Sequence, residues 1–249
     1  TKECMECGEG REGRDRQSLD LPAEDMVKEV FAVNPKTIVV LVSSFPYAIG
    51  WSQANAPAIM HITNAAQEQG TAIADVLFGD YNPAGRLVQT WPKSLDQLPR
   101  MMDYDITHGR TYMYFKGDPL YPFGFGLSYT KFEYSNVRLN SETLPKKGSI
   151  VVTADIKNVG SRDGDEVTQL YVQFPESRVV RPIKALKGFQ RVNLKAGETK
   201  TVTFTVKGES LAWWNENIPG WEVESGPVNI LIGSSSQDIK LQKTVTVSK

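Results

Sequence analysis

The sequence has little cysteine, histidine or net charge, and it has no long apolar run. Its 249 residues include two cysteines and two histidines, and the formal net charge is -1. A near-neutral chain offers no basic face for phosphates, so we expect no nucleic-acid partner. No apolar run approaches the roughly 20 residues that span a bilayer, and no charged start followed by an apolar core marks a signal peptide, so we expect no membrane partner. The sequence does not identify the compartment in which the protein works, and the periplasm and the extracellular space are both compatible with it.

The two cysteines, Cys4 and Cys7, form a single C-x-x-C pair. Such a pair can be a redox motif or half of a zinc site, but a zinc site needs a second pair of ligands. None is present in the sequence, where His61 and His108 stand isolated. We therefore expect no metal and no cofactor, and two thiols, free or bonded to each other, on a polar loop.

An aromatic and glycine-rich stretch, YPFGFGLSYT at residues 121–130, separates two different sequence patterns. The chain is long enough for two domains, and its 40% hydrophobic and 23% charged residues are typical of a soluble globular protein. The stretch is too irregular for a helix and too rich in glycine for a central strand. We interpret it as a buried joint and predict domains at 1–126 and 127–249.

Helical and strand patterns alternate before this joint. The expected elements are a helix from Pro22 to a stop at Asn34 and Pro35, a helix through 66–78, and strands at Ile38–Val42, Ala58–Ile62 and 86–90. The continuous apolar run 38–42 predicts a strand covered on both faces. Ala72, Ile73, Val76 and Leu77 should form the buried stripe of the second helix. This order predicts a parallel or mixed sheet flanked by helices.

Short apolar or alternating segments dominate after the joint. Expected strands lie at 150–157, 167–174, 199–206 and 228–232, with turn residues between them. Several strands at this spacing predict a β-sandwich. The predicted fold class is therefore α/β followed by all-β.

Several motifs together resemble a known family. They are EGRDRQSLDLP (12–22), GTAIADVLFGDYNPAGRLVQTWP (70–92) and GRTYMYFKGDPLYPFGFGLSYT (109–130). They resemble the C-terminal half of glycoside hydrolase family 3, which comprises exo-acting β-glucosidases and β-xylosidases. DGDEVTQLYVQFPES (163–177) and RPIKALKGFQRVNLKAGETKTVTF (181–204) resemble its fibronectin type III-like domain. The motif GRTYMYFKG resembles the β-xylosidase-like members more closely than the other members. It does not decide whether the sugar released is glucose or xylose.

The resemblance implies a three-part retaining enzyme: a barrel with an Asp nucleophile, an α/β sandwich with the acid/base Glu, and an immunoglobulin-like β-sandwich. It implies that this chain holds the C-terminal part of the α/β sandwich and the fibronectin type III-like domain. The partners would then be an oligosaccharide or glycoside substrate and the N-terminal barrel, which the chain does not contain. The oligomeric state is not indicated, and the chain alone is expected to be inactive.

The candidate acid/base lies in the charged segment CGEGREGRDR, which we expect to be an exposed loop. Matching the family's Glu-Gly-x-Asp-Arg pattern selects Glu12, and a Gly-Glu-Gly variant of the pattern selects Glu9. Without the resemblance, the glutamates of this segment would be interpreted as solvated charges paired with neighbouring arginines.

Other residues suggest weaker possibilities. Trp213 and Trp214 could stack on a sugar but are expected to be core and rim aromatics of the sandwich. Neither Ser128 nor either histidine lies in a strand-turn-helix serine elbow or beside a partner base. The alternative function is a non-catalytic carbohydrate-binding or scaffold fragment.

Overall fold

A computed structural model describes residues 18–248. Within them the helices are α1 (Glu24–Val33), α2 (Gly50–Asn55), α3 (Gln69–Phe78) and α4 (Thr111–Tyr114). The strands are β1 (Ile38–Val42), β2 (Ala58–Ile62), β3 (Phe132–Leu139), β4 (Thr143–Leu144), β5 (Ser149–Asn158), β6 (Gly164–Gln173), β7 (Ala185–Leu194), β8 (Thr199–Lys207), β9 (Trp213–Asn215), β10 (Gly220–Glu222), β11 (Gly226–Gly233) and β12 (Ile239–Val247). None of these helices is long and apolar enough to cross a bilayer.

The described chain forms two compact units that alternate along the sequence. The first comprises the described part of Thr1–Ala66 with Thr90–Met102 and Gly117–Tyr121. The second comprises Gln67–Gln89, Asp103–Lys116 and the described part of Pro122–Lys249. The predicted boundary between residues 126 and 127 stays a prediction.

In the first unit, β1 and β2 run parallel, from Ile38 opposite Ala58 to Val42 opposite Ile62. Parallel neighbours need a crossover, and here the connection contains α2. The prediction that β1 is covered on both faces is wrong. Val39 and Leu41 are buried, whereas Ile38, Val40 and Val42 are exposed. An apolar run tolerates burial on both faces, but within the described residues only one face is covered.

The predicted helix at 66–78 exists as α3, but its predicted buried stripe is wrong. Gly79, with φ of 85°, ends the helix in the left-handed region that favours glycine. Ile73 and Val76 are half-buried, while Ala72 and Leu77 are exposed. The apolar residues do follow a helical period, but the described residues do not cover that face.

The strand predicted at 86–90 is also wrong, because this segment pairs with no other strand among the described residues. The backbone of Leu87 forms hydrogen bonds with a turn instead. The N–H of Leu87 donates to the carbonyl of Phe125 (2.8 Å), and the carbonyl of Leu87 accepts from the N–H of Gly124 (2.7 Å). In the predicted joint, Gly124 and Thr130 are buried, but Leu127 and Tyr129 are exposed. The joint is therefore only partly buried.

The second unit contains the predicted β-sandwich. One sheet has the order β4-β12-β11-β6-β7 and the other the order β3-β5-β8. Alternation along β5 places Ile150, Val152, Ala154 and Ile156 in the core, each fully buried. The four predicted strands correspond to β5, β6, β8 and β11, and no α-helix lies between residues 149 and 207. The predicted fold class, α/β followed by all-β, is confirmed.

A buried ion pair ties residue 86 to the sandwich inside the second unit. Nη2 of Arg86 lies 3.0 Å from Oε1 of Glu166, and both side chains are less than a tenth exposed. The hydroxyl of Tyr134 donates to the same carboxylate oxygen at 3.0 Å. Burial, together with this carboxylate, raises the pKa of Tyr134. A buried carboxylate is costly unless it is paired and hydrogen-bonded, and the two donors on Glu166 meet this requirement.

Candidate functional site

The two candidate acid/base residues, Glu12 and Glu9, lie outside the described residues, as do Cys4 and Cys7. The choice between Glu12 and Glu9 therefore stays a prediction. What the structure describes is the chain that follows them, beginning at Ser18.

The first described residues, Ser18 to Asp20, are fixed to the loop after β1. Asp20 forms a parallel bridge with Ala48, whose N–H donates to the carbonyl of Leu19 at 2.7 Å. The hydroxyl of Ser18 donates to the Asp20 carboxylate at 2.6 Å, and the N–H of Asp20 donates to that hydroxyl at 3.0 Å. The described chain therefore starts in a defined position beside the loop that leaves the carboxyl end of β1.

The carboxyl ends of β1 and β2 carry a second group of polar side chains. In open parallel sheets this edge is where ligands usually bind. Nε2 of His61 lies 3.0 Å from the carbonyl oxygen of Ser43 and 3.2 Å from its hydroxyl oxygen. Asn64 at the end of β2 donates to the hydroxyl of Ser44 at 3.2 Å. These bonds hold the two strand ends together.

His61 is held in a way that suits structure rather than base catalysis. A carbonyl oxygen only accepts, so Nε2 must carry the proton that it donates to Ser43. The imidazole also makes a T-shaped contact with the buried ring of Trp91, with centroids 5.0 Å apart. Burial lowers the pKa of His61, against the opposing effect of the Ser43 hydrogen bond. The Ser43 hydroxyl donates to the carbonyl of Phe45 at 3.0 Å, so no serine nucleophile is activated here.

The other histidine, in the second unit, has the opposite environment. Nδ1 of His108 lies 2.8 Å from a carboxylate oxygen of Asp103, and Nε2 lies 3.5 Å from one of Asp105. The hydrogen bond to Asp103 raises the pKa of His108, and the charges of both aspartates add to the effect. The group is exposed at the surface. Within the described part of the chain, no cluster of three or more His, Cys, Asp or Glu side chains is arranged to hold a metal ion.

A pocket of about 410 Å³ opens on the sandwich beside the chain that follows β6. Phe174, Ser177 and Arg181 are among the residues that line it. The Arg181 guanidinium lies over the Phe174 ring, 4.2 Å from its centroid, and Nε is 3.6 Å from a carboxylate oxygen of Glu224. That carboxylate already accepts hydrogen bonds from Ser177 and Arg178. Glu224 is therefore already engaged, and none of the described residues that line the pocket is acidic, so the pocket offers no acid/base pair.

The tryptophans singled out from the sequence take different positions. Trp213 faces inward and is half-buried, while Trp214 is exposed and lies directly opposite Trp221 on the neighbouring strand. Trp221 was missed by the sequence reasoning. The signal was present: Trp214 and Trp221 flank an Asn-Ile-Pro-Gly stretch, a composition typical of a hairpin turn. The hydroxyl of Ser128 donates to the side-chain oxygen of Asn82 at 2.9 Å, so Ser128 has a structural role here.

Two family models match the chain. That of the glycosyl hydrolase family 3 C-terminal domain matches residues 2–129, just over half of the sequence. That of the fibronectin type III-like domain matches residues 166–236, within the sandwich. The chain belongs to glycosyl hydrolase family 3.

Individual relatives agree with this assignment. Thermostable beta-glucosidase B of Acetivibrio thermocellus is 39% identical over 95% of this chain, and a beta-xylosidase of Formosa agariphila is 36% identical over 97%. The crystal structure of a beta-glucosidase from Kluyveromyces marxianus in complex with glucose covers 96% of the chain at a TM-score of 0.87 and 35% identity. The chain spans 33%, 34% and 30% of these three proteins, respectively, and corresponds to their C-terminal portion.

Proposed function

We propose that this chain supplies the general acid/base of an exo-acting retaining β-glycosidase that removes terminal β-linked glucose or xylose. Glu12 is the proposed acid/base, with Glu9 as the alternative. The nucleophile is placed on a barrel that is not part of these 249 residues. The observation that carries the proposal is family membership together with similarity to both a β-glucosidase and a β-xylosidase over nearly the whole chain.

The division of labour follows from the chemistry of retention. One carboxylate attacks the anomeric carbon, and a carboxylic acid about 5–5.5 Å away protonates the leaving oxygen. The same group then removes a proton from the water that releases the sugar. To hold its proton near neutral pH, the acid needs a raised pKa.

The described residues that follow the acid/base segment have a defined position, which supports the proposal indirectly. The bridge between Asp20 and Ala48 and the hydrogen bond from Ala48 to Leu19 fix the chain seven and eight positions after Glu12. Catalytic side chains on loops work when a rigid scaffold positions them. In this proposal the loop after β1 provides that support.

The first experiment measures activity of the 249-residue chain by itself. Incubated with nitrophenyl β-xyloside and β-glucoside, it should give no hydrolysis above background, because one of the two required carboxylates is absent. A protein that joins this chain to a family 3 barrel serves as the positive control.

One outcome would overturn the division of labour. If the isolated chain hydrolyses either substrate, the activity survives repurification, and Glu12→Gln removes it, then a nucleophile lies within these residues.

A further inference from the structure

The β9–β10 hairpin presents two tryptophan rings to solvent on one face. Trp214 and Trp221 are direct cross-strand partners, and their ring centroids are 5.6 Å apart at an interplanar angle of 76°. Their exposed fractions are 49% and 73%. Side chains this large and apolar usually avoid water, so an exposed pair is typical of a binding surface.

The opposite face of the hairpin is held by hydrogen bonds within the hairpin and by one ion pair to the segment after β6. Asn215 donates to the carboxylate of Glu222 at 2.9 Å, and that carboxylate lies 3.5 Å from a guanidinium nitrogen of Arg178. The side-chain oxygen of Asn215 also accepts from the N–H groups of Asn217 and Ile218, which closes the turn. The tryptophan face is therefore preorganised, and a ligand would not have to order it on binding.

The size of the face decides what class of ligand it fits. Its large apolar side chains are Trp214, Trp221 and, at the turn, Ile218, which is also exposed. A stable protein-protein interface uses roughly 20–30 residues on each side, far more than these three apolar side chains. A pyranose ring, in contrast, can pack one face of C–H groups on a single indole, whose π face carries the negative end of the ring quadrupole. Glu216 and Asn217, in the turn between the two tryptophans, are exposed polar residues of the same hairpin.

We propose that Trp214 and Trp221 form a stacking platform that binds a β-linked oligosaccharide. The choice of a β-linked saccharide rests on the proposed function. The platform lies entirely within the second unit and needs no carboxylate of the segment that contains Glu12. It would keep a polymeric substrate near the enzyme between successive cleavage events.

The test measures binding of xylohexaose and cellohexaose to the 249-residue chain by isothermal titration calorimetry. Trp221→Ala and Trp214→Ala should each weaken binding roughly tenfold, while Trp221→Phe should retain part of it, because a smaller ring still stacks. Phe189→Ala is the matched control. Phe189 is an exposed aromatic residue of β7 in the same unit, 68% exposed, and its loss should leave the affinity unchanged. Circular dichroism of each variant checks that the sandwich is folded.

Three outcomes would overturn the platform. The first is that the unmodified chain binds neither hexaose. The second is that the tryptophan variants bind as well as the unmodified chain or lose no more than Phe189→Ala. The third is a dimer in light scattering that Trp221→Ala converts to a monomer, which would assign the face to a second copy. Glu12→Ala separates the two proposals, since it should abolish acid/base catalysis in the barrel-joined protein and leave hexaose binding intact.

Discussion

The two units differ in how completely their described residues cover apolar side chains. In the second unit, strands of both sheets meet over a core whose members include the fully buried Ile156, Leu170 and Ile230. In the first, α1 has no buried residue, and one face of β1 is exposed. Burial of apolar area is the main stabilising contribution to folding. We therefore expect the second unit to carry most of the stability of this chain, while the proposed chemistry belongs to the segment that leads into the first.

The largest effect expected is the loss of the acid/base in a protein that joins this chain to a family 3 barrel. Glu12→Ala should reduce disaccharide cleavage by roughly 10²–10⁴-fold, and cleavage of a dinitrophenyl glycoside far less, because a weakly basic phenolate leaves without protonation. Azide should restore turnover of the dinitrophenyl substrate, since it attacks the glycosyl-enzyme without needing a base. Steady-state kinetics with both substrates measure this.

Glu9→Ala is the matched control for that experiment. We expect a small loss, similar for both substrates, as for any exposed loop charge. If Glu9→Ala shows the leaving-group dependence and azide rescue instead, the acid/base is Glu9. If neither variant shows them, the acid lies elsewhere and the proposed role of this segment is wrong.

The next effect concerns the buried ion pair of the second unit. Glu166→Ala leaves the buried guanidinium of Arg86 without its carboxylate and should lower the free energy of unfolding by about 3–5 kcal/mol. The neighbouring Asp165→Ala removes a pair with Arg191, whose side chain is about half exposed, and should cost about 0–1 kcal/mol. Urea unfolding of the two variants gives the comparison. Equal losses would show that burial of the pair does not decide its importance.

A matched pair of isoleucines compares the two units directly. Ile156→Ala empties a fully buried position in the sandwich and should cost about 2–5 kcal/mol. Ile38→Ala changes an exposed position on β1, 49% accessible, and should shift the free energy of unfolding by about 0.5 kcal/mol or less. Urea unfolding again measures both. A large loss for Ile38→Ala would mean that its side chain is covered in solution, contrary to the difference between the units described here.

The smallest effect is electrostatic and has opposite signs in the two units. His61 should titrate below 6.5 and His108 above it. Neutral His61 therefore contributes stability above about pH 6.5, which is lost as the pH falls below the unfolded value. Protonated His108 contributes stability below about pH 6.5, which is lost as the pH rises through its folded pKa. NMR titration measures both values, and His61→Gln and His108→Gln assign the signals because the chain has only two histidines. The reverse order of the two pKa values would refute these environments.

Sequence patterns correctly predicted the elements that depend mainly on residues close together in the chain. Alternation located β5 and β8, and Gly79 marked the end of α3. The segment 86–90 was mispredicted because its backbone partners, Gly124 and Phe125, lie more than 30 residues away in sequence. The exposed face of β1 was missed because an apolar run states what a strand tolerates, not what covers it. Of the candidate site, Glu12 and Glu9 came only from the resemblance to the family, since exposed charges carry little pattern of their own.

The side chain of Asn82 has a consequence for how this protein could be divided or exchanged between relatives. Its amide donates to the carbonyl of Asp163 at 2.9 Å, and its oxygen accepts from the Ser128 hydroxyl and the Tyr129 N–H. A sandwich excised at residue 127 would lose these three bonds together with the guanidinium that neutralises Glu166. The transferable module is therefore discontinuous in sequence: a recombined protein that takes the sandwich from one relative must take residues 67–89 from the same relative.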